Sequence, residues 1–489
     1  MTKSIKELDK REFKNAVLGS LFWRFLERGG TQGIHFIISI IIARLLMPRD
    51  FGIIALITVF IAVADTFVQG GFSSALIQKE EVDETDYSSV FFINLIIAGF
   101  LYVIFLGTAP LIADFYQEPI ITPVFRWLSL IVIFGALNNI QYVVLAREMK
   151  FKKSFLVSIG GILASGTVGI TMAYQGYGIW SLVFSQIAGQ MVSTVILWLS
   201  VCWRPQLLFS FFRLKILFSF GSKLLFSGLL DTIFNNIYPL VIGKLYGKTM
   251  LGFYNRGQSI PAMLVNNING TITGVMFPAL SHHQNDPLRV KAMMRRTMLS
   301  SAFIVFPMMF GLGIVAKPMI LLLFTEKWLP CVPFLQLLCI SFAFYPVHTA
   351  NLEALKAVGR SDIFLKLEVI KKGLFILIIV GTIPFGIYIM VAGQAVGSII
   401  GTIINAWPNK QLFHYSFQEQ IRDLMPALLL SIAMSGVVFL ISLFPIHLYL
   451  SLFLQICIGA AFYFIAASLF RLESLTYILA TIKDLRKKS

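Results

Sequence analysis

At 489 residues, 57% hydrophobic and 14% aromatic with 45 Phe, the chain carries only 13% charged residues, about half the share of an average soluble domain. Its mean hydropathy of +0.81 excludes a water-soluble fold, because apolar runs of about 20 residues, each able to cross about 30 Å of hydrocarbon as a helix, recur along its length. The formal net charge of +16 does not point to nucleic acid, since the basic residues alternate by loop as topology determinants do.

The chain opens on a polar stretch, "MTKSIKELDKREFK", and the segment that follows has no small-residue cleavage site, so no cleavable signal is read. Hydropathy then places about fourteen spans. Six run near residues 15 to 46, 50 to 72, 88 to 111, 122 to 145, 155 to 174 and 178 to 201. Six more run near 216 to 245, 250 to 280, 297 to 323, 331 to 356, 363 to 383 and 386 to 405, and a last pair near 424 to 444 and 448 to 469. Lys and Arg concentrate on the N-terminus, "REMKFKK" (147 to 153), "RLK" (213 to 215), "RVKAMMRR" (289 to 296), residues 356 to 372 and the tail "KDLRKKS". The intervening loops, among them "MPRD", "QEPIITP", "YQGYG" and "YGKTM", are short and nearly uncharged. About 29 of the 40 basic residues fall on the first set, which the positive-inside rule makes cytoplasmic, so both termini are expected in the cytoplasm.

An internal repeat organises these spans. "IIARLLMPRDFGIIA" (41 to 55) registers with "VIGKLYGKTMLGFYN" (241 to 255), so that Arg44 meets Lys244, Leu45 meets Leu245 and Gly52 meets Gly252. The expected fold is an all-α membrane protein of two six-helix lobes, residues 1–203 and 204–412, with 413–489 forming a final helix pair and a basic tail. Because six crossings is even, equivalent helices run the same way and the pseudo-two-fold axis lies along the membrane normal. Two such lobes leave a central cleft, the layout of an alternating-access transporter.

Each leading helix presents a polar stripe. In the first span Arg24, Arg28, Thr31 or Gln32, His35 and Ser39 recur at steps of three or four; in its repeat mate Lys223, Ser227, Asp231, Asn235 and Tyr238 do the same. Charged groups inside spans are costly and face a watery cavity or a partner. Arg24, Arg28 and Lys223 either line the cleft or anchor the cytoplasmic ends of long helices by snorkelling. Asp231 and Arg256 lie deeper, Asp65, Asn266, Asn267 and Asn269 extend the polar lining, and Glu27 reads as a counter-ion to Arg24. Arg24, Arg28, Lys223 and Arg256 outnumber Glu27, Asp65 and Asp231, a balance that favours an anionic substrate, and arginine forks suit phosphate oxygens. The candidate substrate-binding set is Arg24, Glu27, Arg28, Asp65, Lys223, Asp231, Asn235, Arg256 and Asn267.

No metal or cofactor is implied. Cys202, Cys331, Cys339 and Cys457 have no metal or redox spacing, His282 and His283 read as solvated loop residues, and there is no P-loop. The acidic run "QKEEVDETD" (78 to 86) reads as a cytoplasmic connector.

Motifs along most of the chain resemble the Wzx-type polysaccharide flippases, closest to the colanic acid and teichuronic acid exporter branch of the multidrug, oligosaccharidyl-lipid and polysaccharide exporter superfamily. They are Trp23, "ARLLMPRDFG" (43 to 52), "GFSSALIQKEEVDETDYSSVFFINL" (71 to 95), "YGIWSLV" (177 to 183), "LGFYNRGQSIP" (251 to 261), "MFPALS" (276 to 281) and "EKWLPCVPFLQLLC" (326 to 339). The resemblance implies a V-shaped helical bundle of the bacterial inner membrane that carries undecaprenyl-diphosphate-linked oligosaccharides. It also implies contact of the diphosphate with residues matching Arg24, Glu27, Arg28 and Arg256, and guidance of the lipid tail by the last two spans. Membrane lipid, a polysaccharide polymerase and chain-length machinery are the implied partners. A drug or organic-cation antiporter of the same superfamily is the nearest alternative, disfavoured by the basic lining. A membrane glycosyltransferase or polymerase would need a larger extramembrane segment than loops of about twenty residues supply, so no enzyme is expected.

Overall fold

A computed structural model of the chain describes residues 29–488 except Gly70 and Glu80. Among the described residues all regular structure is helical, and eleven helices are long and apolar enough to cross a membrane. The protein is thus an all-helical membrane protein. It divides into two compact units that meet in sequence between Asn255 and Arg256.

The first unit holds α1 (Thr31–Leu45), α2 (Pro48–Gln69), α3 (Phe72–Gln78), α4 (Glu84–Tyr116), α5 (Ile121–Leu128), α6 (Leu130–Arg147), α7 (Phe151–Tyr174), α8 (Ile179–Ser200), α9 (Phe211–Asn235), α10 (Ile237–Leu245) and the first turns of α11 (Lys248–Ser281). Turn chemistry sets the borders. Pro48 supplies a pre-set φ to the first turn of α2, and Asp83 begins α4 with a capping box in which its carboxylate accepts from Asp86 N. Breaks within expected spans are local: α5 passes into α6 at Ser129, whose hydroxyl donates to Arg126 O at 3.0 Å, and α9 passes into α10 at Asn236, whose amide donates to Thr232 O at 2.8 Å.

Small residues bring α7 and α8 together. A Cβ on Gly161 would fall 2.0 Å from Ser193 Oγ, and Ser165 and Ser185 share a 2.8 Å hydroxyl contact. This is how membrane helices associate where apolar burial offers no advantage over lipid. A cluster of Phe72, Leu76, Val90, Phe91, Ile140, Leu197 and Trp203 fills the base of the unit. The connection from α8 to α9 is laid along α4: Trp203 Nε1 donates to Glu84 Oε2 at 2.8 Å, Gln206 N to Ser88 Oγ at 3.0 Å and Ser210 N to Ser89 Oγ at 2.9 Å. Arg213 completes it with an ion pair to Asp83.

The second unit continues α11 and adds α12 (Pro287–Ile314), α13 (Ala316–Phe324), a 3-10 turn (Glu326–Cys331), α14 (Val332–Ala343), α15 (Tyr345–Ala357), α16 (Ser361–Thr382), α17 (Ile387–Ala406), α18 (Asn409–Phe413), α19 (Phe417–Ser442), α20 (Leu448–Leu469) and α21 (Glu473–Lys488). Its apolar cluster, built on Phe303, Met434, Val438, Tyr463 and Ala467, joins α12, α19 and α20, and Tyr463 Oη donates to Phe303 O at 3.0 Å. In both units large apolar side chains point outward, such as Leu199 at 80%, Leu111 at 68% and Leu377 at 71% exposure. Water would penalise such a surface and hydrocarbon does not.

α21 is a helix where the sequence was read only as a basic tail. Its apolar residues Leu475 and Ile478 pack on the cluster of α12, α19 and α20, and Arg295 on α12 joins Asp423 of α19 (2.9 and 3.0 Å) to Glu473 of α21 (2.6 Å twice).

Candidate substrate pathway

The repeat-mate segments meet. A Cβ on Gly52 would lie 1.7 Å from Lys248 O, and one on Gly252 would lie 1.9 Å from Pro48 O. The first turns of α2 and α11 therefore cross backbone to backbone, reciprocally, and only glycine fits either position. Beside the crossing Glu118, 8% exposed, pairs with Arg49 and approaches Lys248 at 3.8 Å. Lys248 also donates to Tyr116 O, and Lys244 donates to Phe115 O with its ammonium 4.0 Å from the Phe115 ring centroid. Glu118 was not anticipated, although it is the one acid in the "QEPIITP" loop between α4 and α5 and could have been singled out for that.

Arg24, Glu27 and Arg28 lie outside the described residues. On α1, His35 is exposed and Ser39 half-buried. On α9, Lys223, Ser227, Asp231 and Asn235 are all exposed, and Tyr238 on α10 is buried and stacked on Tyr254 with ring centroids 6.4 Å apart. Asp65 on α2 is half-buried, its Oδ1 3.4 Å from where a Cβ on Gly135 of α6 would stand. At the next residue Thr66 Oγ1 lies 3.0 Å from Thr232 Oγ1, where α2 packs on α9.

In the second unit Arg256 is 8% exposed, its guanidinium carbon 4.9 Å from the Phe324 ring centroid and 5.2 Å from that of Trp328. Such cation–π contacts hold a guanidinium in an apolar interior. Asn266 and Asn267 on α11 are exposed, with the Asn267 amide donating to Met263 O at 3.0 Å. A polar cluster absent from the sequence reading surrounds His348 on α15: Asn405 Nδ2 is 2.9 Å from its Nδ1, and Thr402 and Ser398 hydroxyls are 3.3 and 3.4 Å from its Nε2. Its members are spread over more than fifty residues of chain, and no local spacing announces them. Between α12, α13, α19 and α20 lies an apolar cavity of about 450 Å³, lined by Pro307, Met308, Gly311, Met319, Gly459 and Tyr463 among others. The first unit thus offers a reciprocal backbone crossing at the first turns of α2 and α11 and polar helix faces, and the second unit an apolar cavity.

A sequence profile described as polysaccharide biosynthesis protein matches residues 41–333. The chain belongs to this family. Among curated polysaccharide biosynthesis proteins it is 26% identical over 417 residues to the lipopolysaccharide biosynthesis protein WzxC of Escherichia coli strain K12, covering 82% of this chain and 84% of that one. It is 27% identical over 397 residues to the teichuronic acid biosynthesis protein TuaB of Bacillus subtilis strain 168, covering 80% and 82%. Its fold is that of the lipid II flippase MurJ in an inward closed conformation, with a TM-score of 0.74 at 18% identity over 93% of this chain and 98% of that one.

Proposed function

We propose that this protein flips a lipid-diphosphate-linked oligosaccharide repeat unit across the bacterial inner membrane by alternating access, for surface polysaccharide biosynthesis, with both termini in the cytoplasm. The observation that carries the reading is the reciprocal crossing of Gly52 and Gly252 in a chain of the polysaccharide biosynthesis family. A gate formed by two repeat-related helix starts parts when lobes 1–203 and 204–412 rock about their shared axis. Relatives named for lipopolysaccharide and teichuronic acid biosynthesis support a glycan cargo, and the likeness to a lipid II flippase supports a lipid carrier. The diphosphate engages Arg24 and Arg28, with Glu27, Lys223, Asn235 and Asn267 on the surrounding faces. The cavity between α12, α13, α19 and α20 takes the apolar tail, and residues 413–489 contribute its last two spans. Transport, not bond chemistry, is the role of the chain; a polymerase and chain-length machinery act on the delivered unit.

The test is a strain lacking its own flippase. Complementation should restore surface glycan and clear lipid-linked repeat units from the inner face of the membrane. Continued accumulation of those units at normal protein abundance refutes the reading, and export of organic cations without glycan would favour the antiporter.

A further inference from the structure

Two arginines of the second unit stand exposed with no partner for their side chains among the described residues: Arg422 on α19 and Arg471 in the turn between α20 and α21. The acids around them are already taken, since Glu419 pairs with Lys291 at 3.2 Å and Asp423 and Glu473 share Arg295. α19 carries its charges only near its start, and its 26 residues measure about 39 Å. That exceeds a hydrocarbon layer of about 30 Å, so Arg422 stands at headgroup level. Below it a cavity of about 640 Å³ follows α19, where Gln418, Arg422, Met425, Leu429 and Ala433 recur at steps of three or four and share one face. Phe470 and Leu472, on either side of Arg471, close the cavity at the α20–α21 turn. From Arg422 to Ala433 the groove is about 16 Å long, close to the depth of one leaflet's hydrocarbon. It shares no lining residue with the cavity between α12, α13, α19 and α20.

The backbone adds two observations. Arg471 has φ 49°, a left-handed conformation that glycine adopts freely and a side chain resists. It ends α20 there, with Arg471 N donating to Ser468 O at 3.1 Å and Leu472 N to Ala467 O at 3.0 Å. Glycine would serve that turn better, so the arginine has a use beyond it. Pro426, which lines the groove, has no N–H to give Arg422 O, and this leaves the carbonyl for a headgroup hydroxyl. We propose that the groove binds one anionic phospholipid of the phosphatidylglycerol type. Its phosphate sits between the Arg422 and Arg471 guanidinium groups, whose forks match phosphate oxygens. A glycerol hydroxyl donates to Arg422 O, and an acyl chain lies on Met425, Leu429 and Ala433. Free cations at headgroup level above a leaflet-deep apolar groove are the complement of such a lipid. It ties α19 to the α20–α21 turn from outside, as Arg295 does through Asp423 and Glu473, whatever cargo the protein carries.

The experiment is native mass spectrometry of the purified full-length protein given equal amounts of phosphatidylglycerol and phosphatidylcholine with the same acyl chains, with the melting temperature measured in parallel. The wild type should retain phosphatidylglycerol in preference and melt higher with it. One basic residue at the membrane surface is worth about five-fold in lipid binding. Arg422→Gln and Arg471→Gly should each lower the preference by about that factor, and Arg422→Lys should keep most of it. Without lipid, Arg471→Gly should melt no lower than wild type, because glycine relieves the left-handed turn, so a lost ligand is told apart from a damaged fold. Ala433→Phe, which fills the deep end of the groove, should reduce retention of both lipids. Equal retention of the two lipids by the wild type, or an unchanged preference when Arg422→Gln and Arg471→Gly are combined, overturns the proposal. Displacement of phosphatidylglycerol by an equal amount of undecaprenyl phosphate overturns it in favour of a site for the carrier lipid.

Discussion

Gly52 and Gly252 stand against each other so closely that a methyl group on either would enter the backbone of the other helix, at Lys248 O for Gly52 and at Pro48 O for Gly252. They also register with each other in sequence at an offset of two hundred residues.

Gly52→Ala and Gly252→Ala should each force α2 and α11 apart, because neither backbone carbonyl can yield as a side chain would. Overpacking of this kind costs about 1–3 kcal/mol. With cysteines at Pro48 and Lys248, disulfide or short-linker cross-linking should be efficient in the otherwise wild-type protein and at least several-fold weaker with either alanine. The same cross-link, once formed, should stop glycan export. Undiminished cross-linking in both alanine variants would mean that the crossing is looser than drawn.

Glu118 holds the same junction through charge. Arg49 stands in the first turn of α2 and Lys248 in that of α11, and the acid between them is almost fully buried. Glu118→Gln should leave two cations without their acid and weaken closure, an effect of about 1 kcal/mol because the Arg49 side chain is more than half exposed. The measurement is the melting temperature of the purified protein, which should fall in Glu118→Gln and recover in part when Arg49 is also replaced by Met.

Helix punctuation was legible in the sequence at the short uncharged turns: the break before Pro48 and the tight connection at Gly176 to Gly178 both stand at helix ends. The breaks at Ser129, Asn236, Val315 and Phe344 were not, because hydropathy runs through them and a side chain or a following proline makes each bend locally. For candidate residues the limit was different. Periodicity placed Lys223, Asp231 and Asn235 on one stripe, and all three are exposed. It could give the depth of Arg256 but not its neighbours, since Phe324 and Trp328 come from about seventy residues further along the chain. α21 was not legible because charged and polar residues interleave with the apolar positions Leu475, Ile478 and Leu479 and keep the segment's hydropathy low.

Orientation is testable at positions that the structure leaves exposed. Cysteines replacing Gln175, in the turn after α7, and Gln284, before α12, are both open to reagent. An impermeant maleimide added to intact cells should label the first and spare the second, as the basic-loop alternation requires. Reversed labelling would invert the topology, and position 248 is a poorer reporter because it is half-buried.

The attachment of α21 should depend on pH with a definite sign. Hydrogen bonds from Arg295 hold the Glu473 carboxyl below its ordinary range. A depressed acid contributes stability that is present above its unfolded value of about 4.3 and is lost as pH falls through the folded value. Backbone hydrogen exchange along α21 should therefore be slow at neutral pH and, once corrected for intrinsic rates, rise below about pH 4. Because the pair is largely exposed, Glu473→Gln should cost at most about 1 kcal/mol while removing the pH dependence. Arg295→Ala should cost more, about 1–3 kcal/mol, because it also strands the partly buried Asp423.

Arg256 and Arg28 should now separate. Arg256 is buried between Phe324 and Trp328, so Arg256→Ala removes a cation–π contact worth about 2 kcal/mol when desolvated and opens a void beside two rings. Its first effect should be on folding: lower membrane abundance and a lower melting temperature, with Trp328→Leu behaving alike. Arg256→Met fills the void without the charge, and it distinguishes packing from substrate binding. Recovery of abundance together with glycan would assign Arg256 to the scaffold, whereas recovered abundance without glycan would assign it to the diphosphate. Arg28 carries the opposite expectation. If its fork meets phosphate oxygens, Arg28→Ala forfeits a charge-assisted bond of about 1.5–3 kcal/mol, a loss of roughly ten- to a hundred-fold in capture. Abundance should be unchanged and Arg28→Lys should rescue only in part, because an ammonium cannot make the bidentate contact. Surface glycan and membrane abundance, measured side by side for the variants, decide both residues. Wild-type glycan from Arg28→Ala would return that charge to the role of an interfacial anchor.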